Sequence, residues 1–176
     1  MINLALIGIG KWGSNYLKAV ESIEGAQIKY IRKYDYDNLV KCKDLDGIII
    51  ATPDTTHNEI INKFPDKFLL VEKPVVMKWD EAKKLENEKI MAGHIYLYNK
   101  ELLNLLDGGR DIQEIEFSIL NDQRKNDTEL LWYLAPHPVS LYVYLYGMPR
   151  VIKVKEIDGV IFVRFIYDNV IIYTKY

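Results

Sequence analysis

Apolar runs of strand length alternate with segments of helical period along the first half of the chain. The strand-like runs are Asn3 to Ile7, Gln27 to Ile31, Gly47 to Ala51, Lys67 to Val71 and Ile90 to His94. Helical segments follow a glycine turn (Trp12, Tyr16, Leu17, Val20 and Ile23 share a face), then Thr56, then Trp79. This alternation predicts α/β units with a parallel sheet and crossover helices over residues 1–91. Residues 92–176 read differently. A short helix (Leu102, Leu103, Leu105, Leu106) closed by Gly108-Gly109 precedes a strand at Glu114 to Leu120 and a helix at about Val139 to Tyr146. Three strands then form a meander, with Asp158-Gly159 and Asp168-Asn169 as tight turns. The expected second domain is a smaller α+β unit of mainly antiparallel sheet. No low-complexity linker separates the halves, and no internal repeat is visible.

Composition narrows the function classes. The 176 residues suffice for one good core or two small ones. A formal charge of -2 with scattered Lys and Arg gives no field that favours nucleic acid or an acidic membrane, so a small ligand fits better. The single cysteine, Cys42, excludes a disulfide framework and points to a reducing compartment. Met1 to Ile7 reads as a first strand rather than a signal peptide, and no apolar run nears the roughly 18 residues of a membrane span. The expected location is therefore cytoplasmic, and the sequon-like Asn126-Asp127-Thr128 is a chance match. The three histidines lie far apart and no Cys or carboxylate cluster has ligand spacing, so no metal is expected.

Gly8-Ile9-Gly10-Lys11-Trp12-Gly13 follows a strand and opens a helix, the context that a dinucleotide fingerprint requires. Gly8 permits the tight turn, Gly10 lets the backbone approach a pyrophosphate, and Gly13 lets the helix pack on the strand. Lys11 and Trp12 belong to the same turn. Glycines also serve other sharp strand-to-helix turns. The acidic residue expected roughly 20 positions further on, to hold a ribose diol, falls near Lys33. Arg32-Lys33 there suits a 2′-phosphate and leans the choice toward NADP over NAD, with Asp35 able to reverse it; a solvated loop is the plain alternative. Between Ile31 and Gly47 the chain is too short for a full helix, strand and helix, so the adenosine side of the site is abbreviated.

Two more strand ends carry chemistry-bearing residues. After Ile48 to Ala51 come Thr52-Pro53-Asp54-Thr55-Thr56-His57-Asn58-Glu59, where a nicotinamide ribose would rest. Thr56 with Glu59 also fits a helix capping box, and His57 fits a structural or rim position. Phe68 to Val71 ends in Glu72-Lys73-Pro74, a charged pair and a proline at the carboxyl end of an apolar strand, where open α/β sheets bind ligands. An ion pair between Lys73 and Glu72 or another acid would also account for the lysine.

The glycine turn, Ala-Thr-Pro...Thr-His-x-Glu, Glu-Lys-Pro, Ala92-Gly93-His94 followed by Tyr98-Asn99, and the His137-Pro138-x-x-Leu141 helix start occur here in order. This ordered set, over about Met1 to Gly147, resembles the glucose-fructose oxidoreductase and inositol dehydrogenase family (Gfo/Idh/MocA), and within it the sugar and nucleotide-sugar dehydrogenases. The resemblance implies a Rossmann domain that binds NAD or NADP and an α/β domain with an open sheet that shapes a sugar site and mediates oligomers. It implies that Lys73 is the catalytic lysine, with the Lys73–Pro74 bond often cis, that His137 lies beside the reacting hydroxyl, and that Tyr98 and Asn99 lie near the substrate. The chain departs from the family at Tyr133, where Asp is usual four residues before the histidine, and in the roughly thirty residues after Gly147, which predict a truncated second domain.

Hydride removal from a secondary alcohol needs a base and a cation near the developing alkoxide, and His137 and Lys73 are suitable types. Pro138 suits a first helical turn, so His137 sits at the helix's amino end, where the dipole keeps the ring a neutral base. A helix cap is its plain alternative. Tyr133 could hydrogen-bond His137 or substrate, although a phenol of pKa about 10 orients less strongly than a carboxylate. His94 is a strand residue at the domain junction or a substrate contact. The expected activity is an NAD(P)-dependent oxidoreductase acting on a secondary hydroxyl of a sugar-like molecule; the alternative is a non-catalytic dinucleotide-binding sensor or assembly protein. The last strands, Gly159 to Ile166 and Val170 to Tyr176, read as apolar on both faces and predict a homo-oligomer through that sheet.

Overall fold

The computed structural model describes residues 1–33, 35–85, 88–107, 113–118, 130–158, 160–168 and 170–176. Tyr34, the Gly108-Gly109 stop, the strand end at Leu120, the Asn126-Asp127-Thr128 triplet, and the turn residues Gly159 and Asn169 lie outside the described residues. The chain forms two compact units, Met1–Gly93 and His94–Tyr176.

The first unit is an all-parallel sheet of β1 (Ile2–Ile7), β2 (Ala26–Arg32), β3 (Gly47–Ile50), β4 (Phe68–Val71) and β5 (Ile90–Ala92), in the order β2-β1-β3-β4-β5. Alternation within the strands divides the core into two layers. Leu6 and Ile49 face Val20 of α1 (Lys11–Glu21). Ala5, Ile7, Ile48, Ile50, Leu69 and Val71 face Ile60, Ile61 and Phe64, from α2 (His57–Lys63) and the residue after it. A strand buried on both sides must be apolar at consecutive positions, which is why β3 reads Gly-Ile-Ile-Ile. Each fully buried isoleucine contributes about 1.5–3 kcal/mol relative to exposure.

The crossovers are short. Among the described residues, the connection from β2 to β3 holds one 3-10 turn, Asp37–Lys41, whose Leu39 packs in the core layer of Ala5, Ile7, Ile48 and Ile50. The segment after Trp79 is one turn only, α3 (Trp79–Ala82). Ile23 lies beyond the end of α1 and is exposed, so the expected helical stripe is buried only at its centre.

The second unit contains α4 (Lys100–Asp107), β6 (Glu114–Ser118), α5 (Leu130–Leu134), α6 (Pro136–Tyr146), β7 (Val151–Ile157), β8 (Val160–Ile166) and β9 (Ile171–Lys175). β7, β8 and β9 form the antiparallel meander, with Ile157 paired to Val160 at one end and Ile166 to Ile171 at the other, where the Tyr167 N–H also donates to the Val170 carbonyl at 3.0 Å. Asp158 takes φ +50°, as a tight hairpin requires. β6 joins the far side of β9 and runs parallel to it, giving the order β6-β9-β8-β7. α6 starts three residues earlier than its apolar pattern indicates.

One face of this sheet is covered by Leu134, Leu141 and Tyr142, which pack on Val163, Phe165 and Ile172. The other face differs from the expected apolar surface. It carries Glu114 and Glu116 on β6, Tyr173 and Lys175 on β9, Phe162 and Arg164 on β8, and Lys153 and Lys155 on β7, around an open depression of about 650 Å³. The Arg164 guanidinium lies 4.7 Å from the Tyr173 ring centroid and the Lys175 amine 6.0 Å from that of Phe162. Aliphatic positions in the sequence thus alternate with long cations whose stems lie along the aromatic rings. Among the described residues, no helix is long and apolar enough to cross a membrane.

Candidate functional site

At the carboxyl ends of β1 and β3 the first unit opens a cleft of about 530 Å³, lined by Gly8, Ile9, Gly10, Lys11, Trp12, Lys33, Ala51, Thr52 and Pro53. The three glycines are needed for different reasons. Gly8 has φ +95°, and a Cβ there would lie 2.5 Å from the Ala51 carbonyl oxygen. At Gly13 a Cβ would meet the Gly8 carbonyl oxygen at 2.0 Å, so the helix docks on the turn only without a side chain. Around Gly10 nothing lies within 4 Å. A bare backbone with open space before it, at the start of α1, is the arrangement a dinucleotide pyrophosphate requires. The residues present therefore fit a dinucleotide, with the backbone of the turn as the anion's cradle.

The remaining residues expected at the cofactor divide clearly. Lys33 lines the cleft, whereas Arg32 turns away: its Nη1 donates to the Ile31 carbonyl at 2.9 Å and its guanidinium lies 5.7 Å from the Tyr30 ring centroid. Thr52 and Pro53 form the wall after β3. Thr56 does not make the expected capping box. Its hydroxyl contacts the Thr52 hydroxyl at 2.8 Å and donates to the Pro53 carbonyl at 2.6 Å, and the helix begins at His57 through a 3-10 turn, Asp54–Thr56. Glu59 instead accepts from Tyr36 at 3.2 Å.

His57 is a structural residue and not a rim contact. It is 1% exposed, with Nδ1 2.8 Å from the Pro74 carbonyl oxygen and Nε2 2.9 Å from that of Thr52. Its ring staples the turn after β4 to the wall of the cleft.

That second turn is Glu72-Lys73-Pro74, whose Lys73–Pro74 peptide bond is cis. Glu72 is 7% exposed and points inward, where Oε1 accepts from the Tyr16 hydroxyl at 2.7 Å and Oε2 from the Lys73 N–H at 3.2 Å. Glu72 is thus buried beneath the turn and does not line the cleft. Lys73 is half-buried. Burial pushes its amine below the usual lysine range, against the opposing pull of the Glu72 and Asp54 carboxylates. A lysine in this state is easier to deprotonate than one in water, which suits a group that takes up and releases a proton.

In the second unit, His137 is the second residue of α6, after Pro136 at its first position. The Ser140 hydroxyl donates to the His137 carbonyl at 2.8 Å, and the imidazole stacks at 4.9 Å, tilted 32°, on the Tyr96 ring. Tyr133 is on α5 and 38% exposed. Tyr98 is exposed at the end of a 3-10 turn, Ile95–Tyr98. Asn99 uses its side-chain oxygen to accept the Leu102 N–H at 3.0 Å, capping α4. His94 lies outside β5, half-buried at the start of the unit, so it is not the strand residue its apolar context indicates. Among the described residues, no group of three or more His, Cys, Asp or Glu is placed to hold a metal.

Tyr16, Ile9, Ala51 and Asp54 take part although the sequence reading did not single them out for the site. The only local signal for Tyr16 was a hydroxyl on an otherwise apolar helix face, a tip that needs a partner when buried.

Residues 21–99 match the model of the oxidoreductase family with an NAD-binding Rossmann fold. The chain is 24% identical to 4-carboxy-2-hydroxymuconate-6-semialdehyde dehydrogenase of Sphingobium sp. (strain NBRC 103272 / SYK-6), in an alignment covering 90% of this chain and 62% of that enzyme. It thus spans less than two thirds of that relative's length. The crystal structure of an oxidoreductase from Magnetospirillum magnetotacticum MS-1 superposes with a TM-score of 0.80 at 25% identity, over 99% of this chain and 69% of that one. The WlbA (WbpB) dehydrogenase of Thermus thermophilus, solved with NAD and UDP-GlcNAcA, shares the fold, with a TM-score of 0.81 at 16% identity over 99% of this chain and 73% of that one. In the Rossmann order of its first sheet, its glycine cleft and the match over residues 21–99, the chain resembles the NAD-binding Gfo/Idh/MocA oxidoreductases.

Proposed function

We propose that this protein is a dehydrogenase or reductase acting on a secondary hydroxyl of a sugar or nucleotide sugar, with NADP favoured over NAD. The observation that carries the reading is Lys73, an amine with a lowered pKa at the carboxyl end of β4, in the same unit as the glycine cleft. The turn from Gly8 to Gly13 would hold the pyrophosphate, Lys11 and Trp12 would flank it, and Lys33 would face a 2′-phosphate. Thr52 and Pro53 would support the ribose on the nicotinamide side. When bound, the nicotinamide would supply the hydride acceptor or donor.

Lys73 stabilises the developing alkoxide and relays the proton that leaves the hydroxyl. His137 is the base, presented at the amino end of α6, where the helix dipole disfavours a positive ring. His94, Tyr98 and Tyr133 are assigned to the substrate side; Asn99 contributes there through its amide, since its oxygen caps α4. The Sphingobium relative's named substrate is a carboxylated semialdehyde, so aldehydes of that type belong in the screen beside sugars.

Tyr133, in the position of the family's usual aspartate, favours a second reading: a dinucleotide-binding sensor or assembly protein without turnover. Titrating NADH and NADPH by fluorescence and then screening substrates separates the two. Binding with turnover supports the enzyme and binding alone the sensor, while no binding of either cofactor defeats both. We also place a second copy of the chain on the open face of the β6-β9-β8-β7 sheet. The acids of β6 lie across that face from the lysines of β7, so two copies related by a two-fold axis can oppose unlike charges.

A further inference from the structure

We propose that Tyr16 is a positioning residue for Lys73, acting through the buried carboxylate of Glu72. The inference rests on the reading of Lys73 as the proton-relaying group. Tyr16 lies on α1, the helix whose amino end opens the cofactor cleft, and its hydroxyl reaches Glu72 Oε1 at 2.7 Å across 56 positions of sequence. The other oxygen of Glu72 receives the Lys73 N–H at 3.2 Å. One carboxylate therefore joins the cofactor helix to the backbone of the lysine. At 7% exposure it has little water to replace either donor.

Two observations argue that the contact is specific and not incidental packing. Gly93 sits against it: a Cβ there would lie 3.0 Å from the Tyr16 hydroxyl, 3.3 Å from the Val71 carbonyl oxygen and 3.5 Å from Glu72 Oε1. The chain thus keeps a glycine where a methyl group would crowd the bond. Burial and the Glu72 carboxylate also push the Tyr16 phenol well above its ordinary value, so it remains a donor throughout the neutral range.

The consequence for Lys73 follows from charge. Glu72 and Asp54 are the carboxylates that favour its protonated form, and the Tyr16 donor holds Glu72 turned inward. Without the hydroxyl, Oε1 of Glu72 is a buried acceptor lacking that donor, and the ammonium of the next residue is the cation it can turn toward. The lysine should then hold its proton to higher pH.

The test is an NMR pH titration of the full chain after reductive methylation with ¹³C-formaldehyde, with the dimethyl-Lys73 signal assigned by its loss in Lys73→Arg. Tyr16→Phe keeps the ring and removes the donor. The expected result is a Lys73 pKa raised by about half a unit or more, with NADH affinity nearly unchanged. A purely structural tyrosine would lower the melting temperature and leave the lysine's titration where it was. Glu72→Gln supplies an independent arm: removing the negative charge should lower the Lys73 pKa, and an unmoved value there would overturn the proposal even if Tyr16→Phe did not fold. A wild-type chain that binds neither NADH nor NADPH would overturn the functional reading. An unmoved or lowered Lys73 pKa in a Tyr16→Phe chain that still binds NADH would overturn the positioning role alone.

Discussion

The imidazole of His57 stands 2.8 Å from the carbonyl oxygen of Pro74, 17 positions further along the chain, and 2.9 Å from that of Thr52 on its other side. A buried ring between two backbone carbonyls links the loop after β3 to the loop after β4. Replacing it with alanine leaves a cavity and removes the ring nitrogens from both carbonyls. His57→Ala should therefore destabilise the first unit by about 2–4 kcal/mol, read as a lowered urea midpoint. A loss under about 0.5 kcal/mol, the level of an ordinary surface change, would show that the staple is dispensable.

The glycines of the cleft should separate folding from binding. Gly10→Ala meets open space, and with φ -70° its backbone suits any residue, so its melting temperature should match the parent while NADH affinity falls at least tenfold. Gly13→Ala drives a methyl group into the Gly8 carbonyl oxygen and should unfold or strongly destabilise the unit. If Gly10→Ala bound NADH as tightly as the parent, the pyrophosphate would not sit on that turn.

Cofactor choice should depend on Lys33 more than Arg32, because only Lys33 faces the cleft. Lys33→Asp should weaken NADPH by about tenfold, the value of one lost charge-assisted contact, and leave NADH little changed. Arg32→Ala should change the ratio of the two affinities less. Equal effects of both substitutions on both cofactors would remove the 2′-phosphate assignment.

Lys73→Ala should abolish turnover while NADH affinity stays close to that of the parent. Equal loss of both would assign the lysine to cofactor binding. This contrast is measurable by fluorescence titration beside the substrate screen.

Alkaline stability should be limited by buried phenols. Burial raises the pKa of Tyr142, whose hydroxyl meets Thr174 at 3.1 Å, and of Tyr16, where Glu72 adds to the effect. A raised folded-state value means that the unfolded chain loses its proton first. Stability should thus be intact below the unfolded phenol's pKa of about 10 and fall as pH rises beyond it. Tyr142→Phe should flatten that fall in urea titrations between about pH 9 and 12; an unchanged slope would show that the phenol does not couple to folding.

Several of these features follow from neighbouring residues alone. The β3 run of Gly47 to Ile50, apolar at every position, is a strand buried on both faces whatever its neighbours are. The turn after β7 closes it on β8 with Asp158 at the φ of +50° that a tight hairpin requires. The Gly8-x-Gly10-x-x-Gly13 spacing sets Gly8 and Gly13 where a Cβ would clash and Gly10 where the backbone faces open space.

The capping box at Thr56 and Glu59 shows where local reading stops. Both residue types were right for a cap, but Thr52 and Pro53 took the threonine hydroxyl and Tyr36 took the glutamate. Competition among hydrogen-bond partners is decided by which groups the fold brings near, and spacing along the chain does not record it. The same limit applies to Asn99, whose oxygen went to a helix cap.

By itself, the sequence determined the two kinds of sheet, the glycine turn, and the charged strand end that carries Lys73, because hydrophobic period and backbone freedom act between near neighbours. Only tertiary structure decided that β6 runs parallel to β9, that Arg32 leaves the cleft while Lys33 stays, that His57 is a staple, and that Tyr16 grips Glu72. Each of these is a meeting of groups whose direction depends on packing, and a buried polar atom takes the partner the fold delivers.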